Sequence, residues 1–371
     1  MAADPITFFL CGDVMTGRGI DQILPHPCPP AVHEPYVKDA RAYVTLAEEA
    51  NGPIVFPVEY DYIWGDALAE LEKAVPDVRI INLETSITSS EDYWKGKGIN
   101  YRMNPENIEC LNVAGVDCCV LANNHVLDWG YSGLEETLET LAHANIRSVG
   151  AGRDLEEASA PIILDINGKG RVIVFAFGHA SSGVPKQWTA SRGRPGINIL
   201  KDVTVRSVRR IQQQIADARR SGDVVVASIH WGGNWGYGIP REHRAFARRL
   251  IDDAGVDVVH GHSSHHVKGM EVYQNKLILY GCGDFLNDYE GIGGNEAFRY
   301  DLSLMYFPRI DPSTGHLVGL SLTPMQIRKF RTNRASANDA QWLCDTLNAE
   351  GRALGTRLQM SGDDGLSLSW N

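Results

Sequence analysis

Short apolar runs alternate with longer amphipathic stretches along most of the chain. The runs at 6–12, 78–83, 116–121, 172–177, 224–229, 256–259 and 277–280 are bounded by turn residues and read as strands with both faces buried. Between them lie helical patterns. Leu134, Leu138 and Leu141 form one stripe in 133–144. Val205, Val208, Ile211 and Ile215 form another in 203–220, and Phe246, Leu250 and Ile251 a third in 242–254. Strand and helix in alternation predict an α/β fold with helices on both sides of the sheets.

The pattern changes after 277. Segments 301–307 and 317–325 read as antiparallel partners around the turn Pro312-Ser313-Thr314-Gly315, and one helix is expected at 338–349. No low-complexity linker interrupts the chain, so residues 1–371 are read as a single domain. The stretch 21–63, with a helix-like piece at 39–50, is long for a connection and is read as a lid or substrate-binding insertion.

Composition narrows the functional classes. A chain of 371 residues buries roughly three quarters of its extended surface on folding and needs no cross-links to hold a core. Its 35 basic and 46 acidic residues leave a net charge of −11, which argues against nucleic-acid or anionic-membrane partners. The seven cysteines include no CxxC pair. The N-terminus lacks a basic, apolar leader, and no apolar run approaches the ~20 residues of a membrane span. The expected location is the cytoplasm.

In open α/β sheets chemistry gathers just beyond the carboxyl ends of the strands. Reading there gives Asp13, Glu84, Asn124 and His125 with Asp128, His230, and the cluster from His260 to His266. Each alone is an ordinary cap or turn residue. At successive strand ends, carboxylate, amide and imidazole together suit one or two divalent cations such as Mn, Fe or Zn. Asp128, three residues after His125, can orient the imidazole for proton transfer to a leaving group. Arg18, Lys97 and Arg102 follow the first two strands and are read as contacts for a small anionic substrate, a phosphate or a carboxylate. The glycine-rich loop carrying Trp231, Trp235 and Tyr237 is read as a pocket wall, and Asp284 and Asn287 as bordering the site.

Gly12-Asp13, Asn82-Leu83-Glu84, Asn123-Asn124-His125, His230-Trp231-Gly232 and Gly261-His262-Ser263-Ser264-His265 follow one another as ordered motifs over about 7–288. This order resembles the poly-gamma-glutamate capsule-synthesis (CapA-type) family of the calcineurin-like metallophosphoesterase superfamily. The resemblance implies a four-layer α/β/β/α sandwich. It implies metal ligands at Asp13, Glu84 (the bridging position), Asn124, His230, His262 and His265, and a catalytic His125. Met15 stands where the superfamily has a histidine ligand, and the closing pair is His-x-x-His. The first metal position is therefore expected to be depleted, with Asn82, Asn123 or His266 as substitutes if two metals bind. The expected function is metal-dependent hydrolysis of a phosphate ester. The alternatives are amide chemistry on poly-gamma-glutamate or a related acidic peptide, and a non-catalytic capsule-biosynthesis subunit.

Overall fold

Alternate side chains of β1 (Ile6–Val14) enter two different cores: Ile6, Phe8 and Leu10 face one, Phe9 and Cys11 the other. A strand buried on both faces belongs in the middle of a covered sheet, and that is where the computed structural model, which describes residues 4–370, places it. β2 (Val78–Leu83), β3 (Cys118–Val120) and β4 (Arg147–Val149) extend the sheet from β1 in parallel.

The next strands build a second sheet. They are β5 (Ile162–Ile166), β6 (Gly170–His179), β7 (Ile199–Leu200), β8 (Asp223–His230), β9 (Val258–His262), β10 (Met270–Tyr273) and β11 (Lys276–Leu279), in spatial order β7-β6-β8-β9-β11-β10 with β5 beside β6. The chain then returns to the first sheet. It adds β12 (Asp284–Leu286) and an antiparallel half of β13 (Leu302–Asp311), β14 (His316–Ile327), β15 (Thr332–Arg334), β16 (Thr356–Ser361) and β17 (Gly365–Trp370). That sheet runs β16-β17-β14-β13-β1-β2-β3-β4, with β12 on β1 and β15 on β14.

Three apolar cores define four layers. Phe8, Leu10, Val120, Val174, Val226 and Val258 fill the space between the sheets. Helices α1 (Arg41–Asn51), α2 (Asp66–Ala74) and α3 (Gly130–His143) cover the first sheet, the last through Leu134, Leu138 and Leu141. Helices α4 (Val205–Ala218) and α5 (Arg241–Asp252) cover the second through Val208, Ile211, Phe246 and Leu250. Each such side chain removed from water stabilises the packing by roughly 1.5–3 kcal/mol. Helix α6 (Ala337–Gly351) sends Leu343, Cys344 and Leu347 into the inter-sheet core. The fold is an α/β/β/α sandwich.

Stretch 21–63 is packed rather than loose where α1 buries Tyr43, Val44 and Ala47 in the outer core. Among the described residues no helix is long and apolar enough to cross a membrane, and the seven cysteines are buried and unpaired.

Parallel pairing aligns the functional strand ends: His230 lies opposite His262, and Asp13 opposite both Asn82 and Asp284. Cys11-Gly12-Asp13 and Cys282-Gly283-Asp284 are the same tripeptide on adjacent parallel strands. The Asp13 N–H donates to Gly283 O at 2.9 Å. A Cβ at Gly12 would lie 1.7 Å from that oxygen, so only glycine permits the approach. Gly12→Ala is expected to lower the unfolding free energy by about 1–3 kcal/mol or more. Urea denaturation measures it, and a wild-type midpoint and slope would mean that the two strands separate freely.

Candidate functional site

The strand ends bring two overlapping groups of donors together, each with ligand atoms within 4.8 Å of one another. They are Asp13, His230 and His262, and Asp13, Glu84 and Asp284. Asp13 is common to both. All five side chains are buried. Nδ1 of His230 and of His262 lie 4.0 and 3.7 Å from Asp13 Oδ1, and 2.8 Å from each other. His230 Nε2 lies 3.4 Å from Glu84 and 2.8 Å from the Asn124 side-chain oxygen. One ion with bonds of ~2 Å can bridge donors at these separations.

Neighbouring groups fix the donors. The Asn82 amide donates to Asp13 at 2.7 Å and accepts from Asn123, and the Ser263 N–H donates to the other Asp13 oxygen. Ser228 Oγ holds His262 Nε2 at 2.9 Å, leaving Nδ1 toward Asp13. The Asn287 amide donates to Asp284 at 2.8 Å. Such outer contacts set the orientation and basicity of metal ligands.

Burial, then the neighbouring Asp284, raises Asp13 to about 8. Burial with Asp13 and Asp284 holds Glu84 well above the carboxylate range. Burial and neighbouring imidazoles push His230 and His262 well below theirs, so both rings are neutral. Crowded carboxylates that resist ionisation, beside neutral imidazoles, form a donor set that a divalent cation satisfies.

His265 is placed differently. Its Nδ1 faces both oxygens of Asp284, a member of the second group, at 3.0 and 3.1 Å, and its Nε2 meets the Asn234 amide at 2.9 Å. Met15 is buried in the outer core, its sulphur accepting the Gly17 N–H. The third carboxylate comes from Asp284, whereas Asn82 and Asn123 support Asp13 and His266 bonds to the Val267 carbonyl. The repeated Cys-Gly-Asp was the sequence signal for Asp284.

His125 Nδ1 lies 2.6 Å from Asp128, which also accepts the Tyr101 N–H at 2.7 Å, and the Tyr101 ring stacks on the imidazole at 3.9 Å. Lys97 Nζ approaches His125 Nδ1 at 2.9 Å and pairs with Asp128. Burial outweighs Asp128 and, with Lys97, brings His125 down to about 4. His125, Lys97, Glu84, Asn124 and His265 line one cleft of about 330 Å³.

The other two cations are committed elsewhere. Arg18 is buried against Asp288 and Glu34, and it also donates to the Tyr43 hydroxyl. Arg102 donates to the carbonyls of Ser90 and Pro29 and stacks on Trp129 at 3.8 Å. Lys97 is the expected cation that lines the cleft.

Residues 7–289 match the family model described as "Bacterial capsule synthesis protein PGA_cap". The chain belongs to this capsule-synthesis family. A Mycobacterium tuberculosis relative named "Probable polyglutamine synthesis accessory protein" is 46% identical over 99% of this chain and 97% of its own length. The Bacillus subtilis "PGA biosynthesis protein CapA" is 30% identical over 56% of this chain and 52% of its own length. A solved phosphatase from Mycoplasma pneumoniae overlaps 87% of this chain and 94% of its own with a TM-score of 0.48 at 12% identity, too distant to inform the site.

Asp284→Asn is expected to weaken Mn²⁺ binding at least tenfold, on the scale of losses that even outer contacts produce. Met15→His should leave the stoichiometry unchanged, because that side chain is core-packed. Equilibrium dialysis with elemental analysis reads both. Wild-type affinity in Asp284→Asn, or an extra ion in Met15→His, would contradict the assignment.

Proposed function

We propose that this capsule-synthesis family member is a metal-dependent hydrolase of phosphate esters. The observation that carries the reading is a buried carboxylate–imidazole donor set that reaches, through Glu84 and Asn124, the cleft lined by the carboxylate-oriented His125. Asp13, Glu84, Asp284, His230 and His262, with Asn124, would hold one or two divalent cations. A cation bound there supplies charge neutralisation for phosphoryl oxygens and a lowered pKa for water. His265 stands beside the donor groups through Asp284.

In the overall reaction, water adds to phosphorus, the ester P–O bond breaks, and the leaving oxygen ends with a proton. Asp128 keeps His125 Nδ1 engaged, which turns Nε2 to the cleft. The resting ring is neutral, and an anionic ester beside it raises its proton affinity. His125 delivers that proton to the leaving oxygen, and the proton released by the attacking water replaces it, so none is gained or lost overall. Lys97 places a positive charge at the same edge and screens the incoming anion from Glu84 and Asp128. Tyr101 stacked on His125 excludes water from one ring face.

A second reading, amide chemistry on poly-gamma-glutamate or a related acidic peptide, draws on the family resemblance and on relatives named for polyglutamine synthesis and PGA biosynthesis. Chelator-free protein with cation restored should cleave para-nitrophenyl phosphate esters and release no glutamate from gamma-linked oligomers. The reverse pattern would replace the first reading with the second.

His125→Ala is expected to retain the cation and lose about 10²- to 10⁴-fold in kcat on an ester with a poor leaving group. Asp128→Asn should lose less. Unchanged turnover in His125→Ala with the cation retained would remove the histidine from the mechanism.

A further inference from the structure

A second pocket of about 320 Å³ opens beside the cleft, and the two share Ile99, Tyr101, Asn234, His265 and Tyr289 as a common wall. Its remaining surface is largely aromatic and aliphatic, with Tyr36, Trp235, Ile292 and Tyr300 around the mouth. Tyr36 is 94% exposed, Ile99 42% and Ile292 39%. Large apolar side chains grouped this way around a concavity mark a recognition surface. The 21–63 insertion supplies Glu34, Pro35, Tyr36 and Tyr43 to it.

Charge decides what this pocket admits. Its cationic lining residue is Arg18, and that guanidinium is already bound by Asp288 and Glu34. His265 is held by Asp284. Among the described residues no lysine or arginine besides the ion-paired Arg18 lines the pocket, so a second anionic group would find no free counter-charge there. A chain with a carboxylate on every residue is a poor match. A flat uncharged ring is a good one, because every aromatic face lost from water on stacking contributes and no charge has to be desolvated.

We infer that this pocket binds an uncharged aromatic or heteroaromatic ring carried by the substrate, held against Tyr36 and Trp235 while the ester lies in the adjoining cleft. The inference deepens the phosphate-ester reading and rests on it for the identity of the group in the cleft. The shared wall of Tyr101, His265 and Tyr289 sets the spacing: the ring and the reacting ester belong to one small molecule. Trp235 sits on the loop from Gly232 to Gly238, and its ring is held at the pocket wall by Phe298, Tyr300 and His265 at 5.7, 5.9 and 5.3 Å between centroids.

The test compares esters with matched leaving oxygens. In the cation-loaded protein, kcat/KM is measured for 2-phenylethyl phosphate against ethyl phosphate, and for adenosine 5′-phosphate against ribose 5-phosphate. The ring-bearing member of at least one pair should be preferred about tenfold or more, and which pair shows it separates an aryl from a nucleobase source. Tyr36→Ala, at a side chain too exposed to threaten folding, should remove most of that preference and leave the ring-free esters unchanged. Equal rates within both pairs, or equal loss on ring-bearing and ring-free esters in Tyr36→Ala, would overturn the inference. If no phosphate ester of any kind is cleaved, the hydrolase reading fails and the pocket is read separately by tryptophan fluorescence. Phenol or adenosine should then quench saturably in wild type, about tenfold more weakly in Tyr36→Ala, and without the Trp235 component in Trp235→Phe. Absence of saturable quenching with both ligands would overturn the inference on its own.

Discussion

Three carboxylates, Asp13, Glu84 and Asp284, meet in a space from which water is nearly excluded. Taking one ionised carboxylate from water costs several kcal/mol even after relaxation, and like charges at this range add to it. The surroundings answer with oriented donors: the Asn82 and Asn287 amides and the Ser263 N–H. These are neutral dipoles, and they do not balance the charge. A cation does, and the Nδ1 atoms of His230 and His262 lie 4.0 and 3.7 Å from Asp13 Oδ1, close enough to share it. The parallel strands serve this constraint. Five side chains from distant parts of the chain arrive at one point because their strands end at one edge of the sandwich.

A second buried network fixes what surrounds that point. Arg18 leaves the end of β1 and binds Asp288, just beyond β12, and Glu34 of the insertion. Breaking such a triad by removing one partner leaves a buried charge uncompensated. Segment 21–63 is therefore tied to the same two strands that carry Asp13 and Asp284. This explains how an irregular excursion can contribute a wall to a pocket beside the donor cluster. It also explains why Arg18, though near the site, has four of its five N–H donors already engaged.

Much of the fold was legible because strands buried on both faces leave apolar runs, unbroken at 224–227 in Asp223–His230 and interrupted only by Arg79 and Asn82 in Val78–Leu83. The strands that escaped are half-exposed or very short. β16 alternates buried Thr356 and Leu358 with exposed Arg357 and Gln359, and β4 has three residues of which only Val149 is buried. In the site, Asp13, Glu84, His230 and His262 were legible as strand-end residues. Asp284 was legible only as bordering the site and not as a member of the donor group, because β12 is three residues long and pairs with β1, at the far end of the sequence. The fate of Arg18 was illegible for the same reason: an arginine after a strand looks solvated until the fold places Asp288 beside it.

The account stands on a cation among these carboxylates, and anomalous diffraction from crystals of chelator-free protein grown with Mn²⁺ addresses it most directly. It predicts an anomalous peak about 2.0–2.2 Å from an Asp13 oxygen, with the remaining contacts drawn from Glu84, Asp284, His230 and His262. No peak at saturating Mn²⁺, with the carboxylates instead sharing protons with one another, would contradict it.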